Sequence, residues 1–173
     1  FEVLGSLRSG DVSFVSRSAD DSKWIVRYMD GKPLQYYLYD REKKTATRLF
    51  SDLAALDDAP LAARRKAVVP ASDGVALPCD VYLPVGSDAD GDGCPDEPLP
   101  TVLYVHGGPW VGNEWTSWFT NRSFQLLADR GYAVIRTDFR GAGGYGKKWI
   151  DMGDYEWGGR MNDDLLDIAR WSV

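Results

Sequence analysis

Residues 101–110 read TVLYVHGGPW. Thr101 to Val105 form an apolar run without polar alternation, the pattern expected of a strand buried on both faces of a parallel sheet. The run then breaks into His106, Gly107, Gly108, Pro109 and Trp110, so a loop begins where the strand ends. Ligands of open α/β sheets bind outside the carboxyl ends of the strands. The two glycines leave backbone N–H groups unshielded, and such groups can stabilise an oxyanion as it develops in acyl transfer. A Gly-Pro turn with a histidine closing the strand is the plainer reading of the same residues.

Downstream, the pattern alternates between strand and helix. NRSFQLLADRG (121–131) reads as the end of a helix, with Phe124, Leu127 and Ala128 on one face and Gly131 at its left-handed stop. YAVIRTDF (132–139) is the next strand. From Met161 to Val173 a last helix is expected, with Asp163 and Asp164 in the first turn, where the helix dipole favours negative charge. Its apolar face would hold Met161, Leu165, Ile168 and Ala169. This is the rhythm of an α/β domain. Such a helix should cross over to another parallel strand, and none follows within these residues, so the domain reads as interrupted.

Upstream, the pattern is that of β-structure. KWIVRYM (23–29) and LQYYLYD (34–40) flank the turn DGKP, and REKKT leads into a third strand, ATRLF (46–50). Three short antiparallel strands cannot bury both faces alone and look like one blade of something larger, such as a propeller. Ser51 to Ala67 reads as a linker or short helix. KAVVPASDGVALPCDVYLP (66–84) then gives two strands around Asp73-Gly74, and the Asp/Gly/Pro-rich stretch VGSDADGDGCPDEPLP (85–100) reads as a surface loop.

The chain has 173 residues, 44% hydrophobic and 27% charged, with a formal net charge of -6. That length and apolar content suffice for a sizeable core. The acidic balance argues against a nucleic-acid or membrane-surface partner, because REKK and AARRKA are short and read as solvated turns. No run approaches the roughly 18 apolar residues of a membrane span. Cys79 and Cys94 could pair or remain two free thiols.

Taken together, LYVHGGPW, LLADRGYAVIRTDFRGAGGYGKKW and WGGRMNDDLLDIARW resemble the prolyl oligopeptidase family of serine peptidases, in particular its acylaminoacyl-peptidase-like branch. YYLYDREKKTATRLF is similar to the final propeller blade of such enzymes. The resemblance implies an α/β fold: residues 1–60 as the last blade of a β-propeller, and 61–173 as the N-terminal part of an α/β-hydrolase domain. It implies an oxyanion loop of His106, Gly107 and Gly108, with Gly108 as a backbone N–H donor. His106 falls where other branches place a tyrosine whose hydroxyl donates to the same oxyanion, so it shapes the loop and is not a general base. The fold's triad runs serine, acid, histidine along the chain, with the serine on a G-x-S-x-G elbow. No G-x-S-x-G occurs here, and the only histidine lies ahead of the place for the elbow. No triad residue is therefore expected within these residues. The implied activity is hydrolysis of peptide or acylaminoacyl bonds through an acyl-enzyme, without metal or organic cofactor, on a peptide substrate. The remaining propeller and hydrolase segments would be its structural partners, and this stretch alone is expected to be inactive. An esterase on the same fold is the nearest alternative, although its loop more often reads H-G-G-G. A non-catalytic binding domain is the alternative from another class.

Three further features have competing readings. GAGGYG (141–146) matches the dinucleotide fingerprint G-x-G-x-x-G, but KKWIDMGDYEWGG after it shows no clean helical face to meet a pyrophosphate. The resemblance makes it instead a glycine-rich loop beside the active-site entrance. Asp88, Asp90 and Asp92 with Gly93 begin like a calcium loop, yet the twelfth position is Leu99 where a glutamate belongs. A solvated turn and a calcium site, with Asp96 or Glu97 adding ligands, both remain open. Trp110, Trp115, Trp118 and Phe119 form an aromatic group, suited either to a sugar or peptide platform or to packing against an overlying propeller.

Overall fold

The structure is a computed structural model describing residues 2–8, 10–30, 32–112 and 118–173, with backbone alone for residues 2, 119 and 120. Two compact units emerge, one of residues 1–63 with 116–122 and one of 64–115 with 123–173.

The first unit begins with a short helix, α1 (Glu2–Leu7), followed by β1 (Asp11–Arg17), β2 (Lys23–Met29), β3 (Gln35–Asp40) and β4 (Thr45–Ser51). These form an antiparallel sheet in simple sequence order. Side chains alternate across a strand, so Val26 and Tyr28 of β2 and Tyr37 and Tyr39 of β3 share a buried face with Leu4 of α1. Tyr28 meets Tyr37 edge-on at 5.3 Å and donates its hydroxyl to the Leu4 carbonyl at 2.8 Å. Lys23 and Asp40, opposite each other in register, form an ion pair at 2.7 Å. The sequence reading found three strands here, and the structure has four. DVSFVSR lacks a continuous apolar face and forms an edge strand with four exposed residues. The stretch from Ser51 to Ala67, read as a linker or short helix, holds a 3-10 turn, Ala54–Leu56, and its last four residues belong to a strand that begins at Arg64.

The second unit is built on a mixed sheet of β5 (Arg64–Pro70), β6 (Ala76–Tyr82), β7 (Thr101–Tyr104) and β8 (Ala133–Thr137), in the order β5-β6-β8-β7. β5 and β6 make the hairpin expected around Asp73-Gly74, and Gly74 takes the left-handed φ of 84° that the turn requires. β6 pairs antiparallel with β8, whereas β7 and β8 are parallel and are joined through α2 (Trp118–Asp129). Leu77, Cys79 and Val81 of β6 and Ala133 and Ile135 of β8 face one side. There they pack with Ile168 of α4 (Arg160–Trp171). The intervening residues face the other side, where Phe124 of α2 lies 5.3 Å from Tyr82 and 4.8 Å from Tyr104. A helix therefore covers each face of the sheet. Among the described residues no helix is long and apolar enough to cross a membrane.

Three expectations are corrected. The sheet is mixed, because β6 enters it antiparallel to β8. β7 is an edge strand, with Thr101 exposed and Val102 to Tyr104 half-buried, and the strand buried at every position is β8. In α4 the inward face includes Asp164 and Asp167 while Ala169 is exposed, so the core-facing stripe is partly acidic.

Candidate active site

The carboxyl ends of β7 and β8 lie side by side, because parallel pairing sets Tyr104 opposite Arg136. His106 follows Tyr104 by two residues and Asp138 follows Arg136 by two, so the pleat brings both to the same face. The imidazole of His106 is wholly buried and stacks on Phe139 with ring centroids 4.8 Å apart. Its Nδ1 lies 2.9 Å from the Gly107 carbonyl oxygen, and its Nε2 lies 3.5 Å from Asp138 Oδ1. Asp138 also accepts from Arg136 Nη2, and from the Tyr145 hydroxyl at 3.0 Å. Arg136 reaches across the ladder to Asp80 at 2.9 Å, its in-register partner on β6. Burial and the neighbouring Asp138 charge push the Tyr145 phenol well above its ordinary range.

Beyond His106 the loop is nearly bare. A Cβ on Gly107 would face open space. Gly108 has a φ of +133°, and a Cβ there would come within 2.9 Å of Val111 Cγ2, so this position needs glycine. The Gly108–Pro109 peptide is cis. The loop borders a cavity of about 340 Å³ whose wall includes Phe139, Trp157, Met161, Asn162 and Leu165.

The glycine-rich loop 141–146 touches the same region. A Cβ on Gly112 would sit 2.3 Å from the Gly143 carbonyl, and one on Gly143 would sit 2.4 Å from the Trp110 carbonyl. These glycines let two backbones approach each other. The helix that follows, α3 (Lys147–Asp151), has five residues, too short to act as a dinucleotide helix. Arg140, just past β8, is clamped by two carboxylates. Asp164 of α4 accepts from its Nε and Nη2 and from its backbone N–H, and Asp73 of the β5–β6 turn accepts from Nη1 and Nη2. These carboxylates push the guanidinium further up, Asp164 foremost.

The remaining candidates lie elsewhere. Asp88, Asp90 and Asp92 do converge, with carboxylate oxygens within 4.8 Å of one another. Each already serves the loop. Asp88 pairs with Arg65 at 2.6 Å and accepts from the Gly91 and Gly93 N–H groups, Asp90 accepts from Asp92, and Asp92 accepts from Cys94. Both cysteines are free thiols, Cys79 buried and Cys94 exposed. Trp110 is exposed and tilts against Trp157 at 5.9 Å, and Trp118 is half-buried. Trp115 and the Phe119 side chain lie outside the described residues.

Sequence reasoning missed Asp80, Arg136, Asp138, Tyr145 and the Arg140 clamp. The signal was available: Arg136 and Asp138 occupy alternate positions at the end of an apolar strand, where a charge needs a partner. Asp80 in CDVYL was the opposite charge in a second such strand.

The sequence model of the prolyl oligopeptidase family matches residues 117–173. Dipeptidyl aminopeptidase BIII of Pseudoxanthomonas mexicana is 42% identical over 173 residues, covering 99% of this chain and 25% of that protein. The chain belongs to the prolyl oligopeptidase family. Dipeptidyl peptidase family member 6 of Caenorhabditis elegans is 30% identical over 185 residues, covering 95% of this chain and 24% of that protein. This member of the family thus spans about a quarter of the length of these relatives. Among solved structures, the acylaminoacyl peptidase of Pyrococcus horikoshii superposes with a TM-score of 0.68 at 19% identity. That match covers 95% of this chain and 25% of the other, and extends the likeness to the fold of both units.

Proposed function

We propose that residues 1–60 form the last blade of a β-propeller and residues 61–173 the first part of an α/β-hydrolase domain. Together they belong to a serine peptidase acting on peptide or acylaminoacyl bonds, and the His106–Gly107–Gly108 loop supplies one side of its oxyanion hole. The observation that carries this reading is the glycine loop at the carboxyl end of β7, held against β8 and bordering the 340 Å³ cavity. In this chemistry a serine attacks the peptide carbonyl, an acyl-enzyme forms, and water releases it. The Gly108 N–H would donate to the carbonyl oxygen as it becomes an oxyanion.

The loop's histidine has a different task. Its ring is wholly buried between Phe139 and Asp138, where it presents no surface to a nucleophile. His106 shapes the loop, and the triad is not among these 173 residues, which contain no G-x-S-x-G. The stretch alone is therefore inert. Pro109, where an H-G-G-G esterase loop carries its third glycine, and Trp110 after it favour a peptidase. This chemistry requires no metal. The acidic loop fits a solvated turn better than a calcium site, because Arg65 already neutralises Asp88.

The test is a graft. This chain replaces the matching quarter of the Pseudoxanthomonas mexicana dipeptidyl aminopeptidase BIII, and hydrolysis of dipeptidyl anilides is followed. The graft should be active, and Gly108→Ala within it, which keeps the N–H but crowds Val111 and so displaces it, should lower kcat about 100-fold with KM little changed, about the cost of losing one oxyanion donor. A folded graft without turnover, or one indifferent to Gly108→Ala, would overturn the assignment, as would hydrolysis by this chain alone above a heat-treated control.

A further inference from the structure

His106 is the buried polar side chain of the oxyanion loop. Gly107 and Gly108 offer no side chain, and Pro109 packs but has no N–H to donate, so the directional polar hold on the loop comes through the His106 ring. One face of that ring lies on Phe139, and its Nε2 is directed at Asp138, 3.5 Å away. Asp138 is 1% exposed and uses both oxygens. Oδ1 receives Arg136 and faces His106, while Oδ2 receives the Tyr145 hydroxyl at 3.0 Å. Tyr145 comes from the glycine-rich loop, whose Gly143 backbone closes against Trp110 and Gly112. One carboxylate therefore touches the loop that borders the cavity and the glycine-rich loop packed against it, and Arg136 anchors it to the Asp80 of a neighbouring strand.

We propose that Asp138 is a positioning residue for the oxyanion loop, orienting the His106 imidazole and, through Tyr145, joining that loop to the glycine-rich loop. The proposal rests on the reading of residues 106–108 as an oxyanion loop. Asp138 touches no substrate in this scheme and acts through His106. A buried carboxylate suits the task because its directional hydrogen bonds to Arg136 and Tyr145 fix the place of the charge that faces His106 Nε2 at 3.5 Å.

The sequence provides its own probe, since His106 is the only histidine. Nitrogen-15 labelling of histidine gives one imidazole, whose two ring-nitrogen resonances report its proton placement and hydrogen bonding. Tyr145→Phe removes one donor from Asp138 without touching His106, and Tyr145 is partly exposed, so the variant is compatible with folding. It should shift both His106 ring nitrogens and the Gly107 and Gly108 amides. Asp138→Asn should shift the same resonances further. If Asp138→Asn fails to fold, Tyr145→Phe still decides. A folded Tyr145→Phe chain with unchanged His106, Gly107 and Gly108 resonances overturns the proposal. In the active graft described above, Tyr145→Phe should lower kcat by up to about 100-fold while KM holds. Shifted resonances in an inactive graft would remove the oxyanion reading and leave the coupling. Unshifted resonances in an active graft would remove the coupling alone.

Discussion

Replacing Asp164 by alanine tests whether the second unit depends on a buried ion pair at its centre. Asp164 is fully buried and accepts Arg140 Nε at 2.8 Å, Nη2 at 2.5 Å and the Arg140 backbone N–H at 3.1 Å. The Arg140 side chain is itself 5% exposed. Removing one partner of a buried pair costs about 3–5 kcal/mol, because the other charge stays buried without compensation. Asp73 still holds the outer edge of the guanidinium, which places the expected loss near the lower end, about 3 kcal/mol. For a chain of this size that corresponds to a fall in Tm of about 6–12 °C. The assay is urea unfolding at neutral pH, followed by tryptophan fluorescence. Replacing both partners, Arg140→Met with Asp164→Leu, should recover most of the loss, since an apolar pair of similar volume carries no desolvation cost. A single Asp164→Ala change costing less than about 1 kcal/mol, or a double variant no more stable than the single one, would refute the reasoning.

Other consequences follow from named groups. The Arg140 hydrogen bonds hold the Asp73 carboxyl at about 2, well below its ordinary value. Because the folded pKa is depressed, this contribution is complete above the unfolded value of about 4 and vanishes as pH falls toward 2. Asp73→Asn should therefore flatten the acid limb of a Tm–pH curve between those values and leave the slope near neutrality unchanged. Burial pushes the Cys79 thiol up to about 11, so a thiol reagent at pH 8 should titrate Cys94 alone in the folded chain and both cysteines in urea. Immediate reaction of two thiols would mean that the β6 core is open. Calorimetric titration with millimolar calcium should show no heat, and appear with Arg65→Ala only if the released Asp88 carboxylate can be recruited to a site.

Elements whose physics is local were legible in the sequence. β2 and β3 alternate buried and half-buried residues, and the Asp73-Gly74 turn demands a left-handed residue. Gly131 marks the end of α2 in the same way, with a φ of 86°. What failed depended on partners distant in the chain. TVLYV reads as doubly buried because its residues are apolar, but burial follows from the strands placed on either side, and β7 has only β8 beside it here. Asp164 reads as a first-turn acid meeting a helix dipole. It turns inward because Arg140, 24 residues earlier, arrives at the same place. The glycines at 107 and 108 pointed to the loop, but nothing local in HGGPW says what holds its histidine.

The holding groups come from one short stretch. Arg136, Asp138 and Arg140 alternate along the end of β8 and the residue run beyond it, and each pairs with a carboxylate or ring from another element. Apolar residues at these positions would pack about as stably, since buried ion pairs gain little over a hydrophobic replacement. They would not set angles. A backbone N–H that must meet an oxyanion has to be held within about 0.5 Å, and that precision comes from supporting hydrogen bonds of fixed direction. On the proposed reading of the loop, Arg136 and Asp138 serve as scaffolding for the two loops, while Arg140 ties the end of β8 to α4 and the β5–β6 turn. Asp138 holds the loop through His106 and leaves the Gly107–Gly108 backbone bordering the cavity. On this argument, stability and loop geometry should separate under mutation. The Arg140–Asp164 pair governs the melting of the second unit, whereas Asp138 and Tyr145 govern the His106 resonances with a smaller effect on Tm.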